Sequence, residues 1–226
     1  MGGLLLRGWN WCRRFRKRCG YGVHSPSDFF LITFVVYEKL PYYAYEILRN
    51  IRGRCDRKPE HREKADKLLF RIVNYLQPGS LLEIGTGSGI STLYMAEGNK
   101  KMKVLTYSDN PYHTIEDLSG CRNDIVYHDT GLNGFLSMLE ASVKKPDLIH
   151  IAHTDLYETA FEAVLPYVSS RTCVIVSLPY SDEARKKWWK RVVEDPRTGV
   201  TFDLYDVGLV FFDPKRVKEH RVVNFL

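Results

Sequence analysis

The chain has 226 residues, 44% hydrophobic and 27% charged, with a formal net charge of +6. That length suits one α/β domain with an N-terminal extension, or one large domain, and the composition excludes a disordered chain or a repeat array. Six of the 33 basic residues (Arg7, Arg13, Arg14, Arg16, Lys17 and Arg18) fall in the first 20 positions, which hold no acid, so the remainder carries 27 basic and 27 acidic residues and lacks the basic signature of a nucleic-acid-binding domain.

Residues 1–20 mix those charges with Leu4, Leu5, Leu6, Trp9, Trp11 and Phe15, a pattern compatible with a short amphipathic helix. Two readings stand: an arm for a membrane surface or RNA, or a basic helix whose aromatics dock on the domain, which is the expectation. Ser25-Pro26-Ser27-Asp28 predicts a helix start, followed by the apolar run Phe29–Leu40, a second segment Tyr42–Ile51 and a third helix opening at Pro59-Glu60. The apolar spacing of Ala65, Leu68, Leu69, Ile72, Val73 and Leu76 is helical, and Pro78-Gly79 ends it. The texture changes there, dividing an N-terminal extension, 1–78, from a second unit, 79–226.

In that second unit the strand candidates Ser80–Ile84, Lys103–Tyr107, Asp124–Tyr127, Leu148–Ile151 and Thr172–Ser177 alternate with helix candidates at about 90–98, 112–119, 132–143, 156–167 and 182–194. Such alternation predicts a doubly wound α/β fold with a mostly parallel sheet. Thr201–Asp206, Leu209–Phe212 and Arg221–Phe225 are strand-like and close together, which predicts a C-terminal antiparallel hairpin. The five cysteines form no C-x-x-C pair, which argues for reduced thiols in a cytoplasmic protein. No secretory pattern and no run of about 20 apolar residues is present.

Glu83-Ile-Gly85-Thr-Gly87-Ser-Gly89 joins the first of these strands to its helix. In an open α/β sheet the ligand crevice lies at the carboxyl ends of the strands, where such a loop sits. The spacing is G-x-G-x-G, neither the G-x-G-x-x-G of a dinucleotide fold nor a P-loop. Asp109 follows the second strand, 24 residues after Gly85, where an acid can accept hydrogen bonds from ribose hydroxyls; it also suits a turn beside Asn110-Pro111. His128-Asp129-Thr130 follows the third strand, and Asp129 there is equally able to cap a helix.

Together these residues, over roughly positions 80–212, resemble the class I methyltransferases that use S-adenosylmethionine (SAM). Gly22–Phe29 and Phe202–Phe212 resemble a bacterial branch of that class, and Gly85–Asp109 with Pro146–Ile151 resembles the small catechol-type O-methyltransferases. The resemblance implies SAM as cofactor, held by Glu83, Gly85, Thr86, Gly87, Gly89, Ser91, Asp109, Asn110, Asp129 and Thr130. Glu83 would orient the amino-acid end, Asp109 the ribose and Asp129 the adenine side.

The catechol-type enzymes carry metal-binding acids after strands 4 and 5, where this chain has Ala152 and Ser177. Two oxygen ligands of a hard cation are thereby lost, and the expectation is a metal-independent transfer to oxygen or nitrogen of a small molecule. His153 and His24 are the candidate general bases; each also reads as an ordinary loop or surface histidine. Tyr42, Tyr43 and Tyr45 read as an aromatic pocket or as core, and Trp188-Trp189 as a nucleic-acid or partner surface or as one core tryptophan in a solvated basic helix. Two rival functions remain: a SAM-binding scaffold without catalysis, and an RNA methyltransferase using the basic N-terminus.

Overall fold

Five apolar runs closed by glycine, proline or polar turns form the parallel part of one sheet: β1 (Ser80–Ile84), β2 (Lys103–Tyr107), β3 (Ile125–His128), β4 (Leu148–Ile151) and β5 (Cys173–Ser177). The computed structural model describes residues 2–55, 58–108, 125–128, 131–140, 145–152 and 154–226. Three more strands follow, β6 (Thr201–Asp203), β7 (Val207–Phe211) and β8 (His220–Val222), and the sheet runs β3-β2-β1-β4-β5-β7-β6-β8. β7 lies antiparallel to both β5 and β6, so the expected hairpin forms. The last strand keeps the antiparallel sense relative to β7, but the Phe212–Glu219 connection carries it past β6 to the outer edge, where β8 pairs parallel with β6. β6 also stops at Asp203, where the chain turns with Tyr205 in the left-handed region (φ 73) and its N–H on Asp203 Oδ1 at 3.0 Å.

The described helices are α1 (Gly2–Arg13), α2 (Pro26–Phe30, continued by a π-helical turn Leu31–Val36), α3 (Ala44–Arg54), α4 (Glu63–Leu76), α5 (Ile90–Gly98), α6 (Gly131–Glu140), α7 (Tyr157–Val164) and α8 (Glu183–Glu194). Ser25 is the N-cap residue of α2 and Pro26 sits in its first turn, as the spacing predicts. The helix expected at 112–119 lies outside the described residues. α4 begins at Glu63 rather than at Pro59-Glu60, because Glu60 turns its carboxylate toward the β1–α5 loop instead.

Alternate residues of each strand face opposite layers. Leu81, Val104, Ile175 and Leu209 pack with Leu31, Leu48, Leu68, Leu69, Ile72 and Met95 from the helices before and after β1. Leu82, Ile149, Val174 and Val210 pack with Phe135, Phe161, Trp188, Trp189 and Val192 on the other face. Both tryptophans of α8 are therefore core, while Lys186, Lys187 and Lys190 form the solvated side. α5 approaches α4 so closely that a Cβ on Gly98 would lie 2.6 Å from the Phe70 carbonyl oxygen, which fixes the angle at which α5 leaves the glycine loop. No described helix is long and apolar enough to cross a membrane. The strand directions bring the carboxyl ends of β1, β4, β5 and β6 to one edge of the sheet.

Candidate functional site

At that edge the chain turns from β1 into α5 through Gly85, Gly87 and Gly89, all left-handed with φ 92, 58 and 77. Alternating left-handed residues turn successive N–H groups toward one side and make a concavity for anions. Gly85 and Thr86 anchor the near side, both donating N–H bonds to Tyr107 O at 2.7 and 3.1 Å. A Cβ on Gly85 would meet Thr154 Cβ at 3.0 Å. The concavity already receives a carboxylate: Glu60 Oε1 accepts from Ser88 N–H at 3.0 Å and Oε2 from Ser88 Oγ at 2.7 Å. A Cβ on Gly87 would lie 2.6 Å from Glu60 Oε1.

Beneath the loop lies a buried polar chain. Glu83 is wholly buried; its Oε2 accepts from Thr92 Oγ1 and Thr106 Oγ1, both at 2.6 Å, and its Oε1 lies 2.8 Å from His150 Nδ1. Thr106 has one hydroxyl proton, committed to Glu83, so Thr86 is the donor in the 2.7 Å Thr86–Thr106 contact. His150 Nε2 lies 2.6 Å from Ser177 Oγ, and His61 Nε2 lies 2.8 Å from the same oxygen. Where His150 donates from Nδ1 to Glu83 and accepts at Nε2, the chain runs in one sense: His61 donates to Ser177, Ser177 to His150 and His150 to Glu83. Glu83 thus holds the loop from below in this structure, with its oxygens turned inward.

Segment 60–66 staples this chain to the loop. Ser91 Oγ donates to Asp66 Oδ1 at 2.9 Å, and Arg52 bonds both Asp66 and the His61 carbonyl. Burial raises the Asp66 carboxyl to about 6, against the opposing pull of Arg52 and Ser91 and with a small push from Glu60. The folded chain therefore binds this proton more tightly than the unfolded chain. Asp66's contribution to stability is fully present below the ordinary carboxylate range and is lost as pH rises through about 6, by about 2–3 kcal/mol in total. Asp66→Asn removes that dependence, and the stability difference between the variant and the parent chain, from urea unfolding at about pH 4 and about pH 7, should shift by that amount in the variant's favour. A difference that stays constant across this range contradicts the assignment.

At the end of β4 another group missed by sequence reasoning appears. Arg185 is buried, donates to the carbonyls of Thr154 at 2.9 Å and Ala152 at 2.7 Å, and lies 4.6 Å from the Tyr157 ring centroid. Asp109, Asn110, Asp129, Thr130 and His153 lie outside the described residues. Thr86, Gly87, Gly89 and Ser91 are brought together with Glu83 and Gly85. His24 is exposed and is not brought to them: its neighbours Gly22 and Val23 line a cavity with Val222 and Val223 of the β8 edge, five strands from β1 or about 24 Å. Tyr42 and Tyr45 pack on Phe70, with ring centroids at 4.8 and 5.1 Å, so they belong to the core between α3 and α4, and Tyr43 is exposed.

No family model and no curated protein matches the chain. Solved structures do share its fold. An O-methyltransferase from Bacillus cereus in complex with S-adenosylhomocysteine (SAH) superposes with a TM-score of 0.56 at 18% identity, over 79% of this chain and 95% of that one. TomG from Streptomyces achromogenes, an O-methyltransferase of tomaymycin synthesis in complex with SAM, gives 0.59 at 14% identity, over 79% and 93%. The SAH-bound methyltransferase PaMTH1 of Podospora anserina gives 0.55 at 16% identity, over 77% and 98%. The chain has the fold of these methyltransferases.

Proposed function

We propose that the chain is a SAM-dependent methyltransferase that transfers a methyl group to oxygen or nitrogen of a small molecule. The observation that carries this reading is the carboxylate already seated on the loop. Three left-handed glycines at the carboxyl edge of a parallel sheet hold Glu60 on a main-chain N–H and a hydroxyl, and a carboxylate is what the amino-acid end of SAM brings. Ser88 supplies the seat's N–H and hydroxyl, and the turn through Gly85, Thr86, Gly87 and Gly89 presents them. Asp109 and Asn110 after β2 take the ribose, and Asp129 and Thr130 after β3 take the adenine side. Glu83 braces the loop from below, and Ser91 acts through Asp66.

The bound cofactor supplies an electrophilic methyl group. The chain's contribution is to hold an acceptor in line with it, and orientation of this kind accounts for much of the barrier lowering in group transfer. His153 remains the candidate for taking the acceptor's proton. The transfer is read as metal-independent: the Arg185 guanidinium crosses the Ala152 and Thr154 carbonyls, at the position where catechol-type relatives carry a metal-binding acid, and Ser177 Oγ is committed to two histidines. The free thiols of Cys12, Cys19, Cys55 and Cys173 suit a reducing cytoplasm, and a bacterial source rests on the resemblance of residues 22–29 and 202–212.

The B. cereus and S. achromogenes neighbours make hydroxyl acceptors the first class to test. Incubation with SAM and a panel of phenols, alcohols and amines is expected to release SAH with at least one acceptor. A chain that binds SAM and releases SAH with none of them is the non-catalytic scaffold, a reading favoured by the absence of acids at Ala152 and Ser177.

A further inference from the structure

The helix α1 is clamped to the sheet by one side. Arg7 pairs with both oxygens of Asp206 at 2.7 Å, and Arg14 pairs with those of Asp203 at 2.8 and 3.0 Å. Their guanidinium groups lie over Tyr205 at 5.0 and 5.3 Å, and Arg14 also over Tyr180 at 5.2 Å. Asn224 fastens the segment again, through Nδ2 to the Trp11 carbonyl at 3.1 Å and through its own N–H to the Lys17 carbonyl at 2.9 Å. Docking is therefore accomplished by two arginines and backbone, and it leaves the aromatics outside. Leu5 is 79% exposed, Trp9 65%, Phe15 52% and Trp11 39%. Around them stand the exposed cations Arg13, Arg16, Lys17 and Arg18, with Arg18 over the Trp11 and Phe15 rings at 5.8 Å each. Arg16 and Lys17 also line a cavity of about 290 Å³ shared with His220 and Arg221.

We propose that α1 and the turn after it form a docking surface for an anionic phospholipid bilayer. Large apolar side chains beside lysines and arginines on a short helix suit the bilayer interface, where the rings enter the headgroup boundary and the cations meet lipid phosphate. RNA is a poorer partner for the same charges, because Leu5 offers no face for base stacking and the Trp11 and Phe15 rings already have Arg18 over them. A second copy of the chain would bring like charges together. The clamp sits on Asp203, at the carboxyl end of β6, and on Asp206 just after it, so the surface lies at the same edge of the sheet as the carboxyl ends of β1, β4 and β5, and docking turns that edge toward the bilayer.

The test uses the full chain with vesicles of phosphatidylcholine, with and without phosphatidylserine. Sedimentation should recover the chain with the anionic vesicles only, and brominated lipid should quench its tryptophan fluorescence, a signal reserved for Trp9 and Trp11 because Trp188 and Trp189 are buried. Four surface cations lost at roughly 1 kcal/mol each correspond to about 1000-fold, so replacing Arg13, Arg16, Lys17 and Arg18 with glutamate should weaken vesicle binding by on the order of 1000-fold or more. Trp9→Ser with Phe15→Ser should weaken binding to the anionic vesicles and cut the quenching to the part that Trp11 carries. Both variants should keep the parent chain's urea midpoint, since the altered side chains are exposed. Equal recovery with neutral vesicles, unchanged binding by the charge variant, binding and quenching undiminished by the aromatic substitutions, or polyuridylate bound more tightly than anionic vesicles would each overturn the proposal.

Discussion

Glu83→Ala is expected to lower the unfolding free energy by about 3–5 kcal/mol, since it leaves three buried donors without their acceptor at about 1–3 kcal/mol each. The carboxylate accepts from Thr92, Thr106 and His150 in a region closed to solvent. Alanine leaves all three donors facing a cavity that no described side chain fills. Glu83→Gln keeps the shape and one acceptor oxygen, but aims an amide N–H₂ at a donor, so a smaller loss of about 1–3 kcal/mol is expected. Because His150, Ser177 and His61 line up behind the same acceptor, Glu83→Ala and His150→Ala should be non-additive, with a coupling of about 0.5–3 kcal/mol. Urea unfolding of the single and double variants measures all of this. A loss below about 1 kcal/mol for Glu83→Ala would mean that the polar chain does not hold the loop.

Gly87→Ala should be nearly as costly, and its damage should fall on the loop itself. A left-handed φ of 58 costs a residue with a Cβ about 1–2 kcal/mol. The new methyl would also stand 2.6 Å from Glu60 Oε1, forcing that carboxylate off Ser88 N–H and Oγ. Together these amount to about 2–4 kcal/mol, and affinity for SAH should fall by a factor of about 10 or more. In the double variant Glu60→Ala/Gly87→Ala the collision disappears and the backbone strain stays, so part of the stability lost to Gly87→Ala alone should return. If the double variant is no better than the sum of the two single ones, Glu60 is not seated on the loop as described.

Much of the fold was legible because local pattern decided it. β1, β2 and β4 span the apolar runs that mark them in the sequence, α5 lies between Gly89 and Asn99, and the turn of the loop follows from the spacing of its glycines. What remained hidden depends on contacts between residues far apart in the chain. Glu60 reads as the first turn of a helix until a loop 28 residues later offers it a hydrogen-bond donor. Asp203 and Asp206 read as strand or turn until Arg14 and Arg7 reach them from the other end of the chain. Charge pairing across nearly 200 residues leaves no periodic trace. β8 runs antiparallel to β7, as its short connection requires, but its neighbour is not legible: it lies beyond β6 and pairs with that strand.

Arg185 is a different case, since a signal was present. Arg185, Trp188, Trp189 and Val192, all buried, recur at i, i+3, i+4 and i+7, the spacing of a helix face turned to the core. Weighing Arg185 with the lysines beside it obscured that. Glu83 is subtler still. Its place before the first glycine resembles a ligand contact, yet its oxygens turn inward to two threonines and a histidine, none adjacent to it in sequence. A motif locates the loop; only the packing around it says which face each side chain presents.

The most direct test of the account is calorimetric titration of SAH into the full chain. Saturable binding at one site is expected, weakened at least about tenfold by Gly87→Ala and weakened by Asp109→Ala. No heat of binding with SAH up to millimolar concentration, from a chain whose circular dichroism shows it folded, would contradict it.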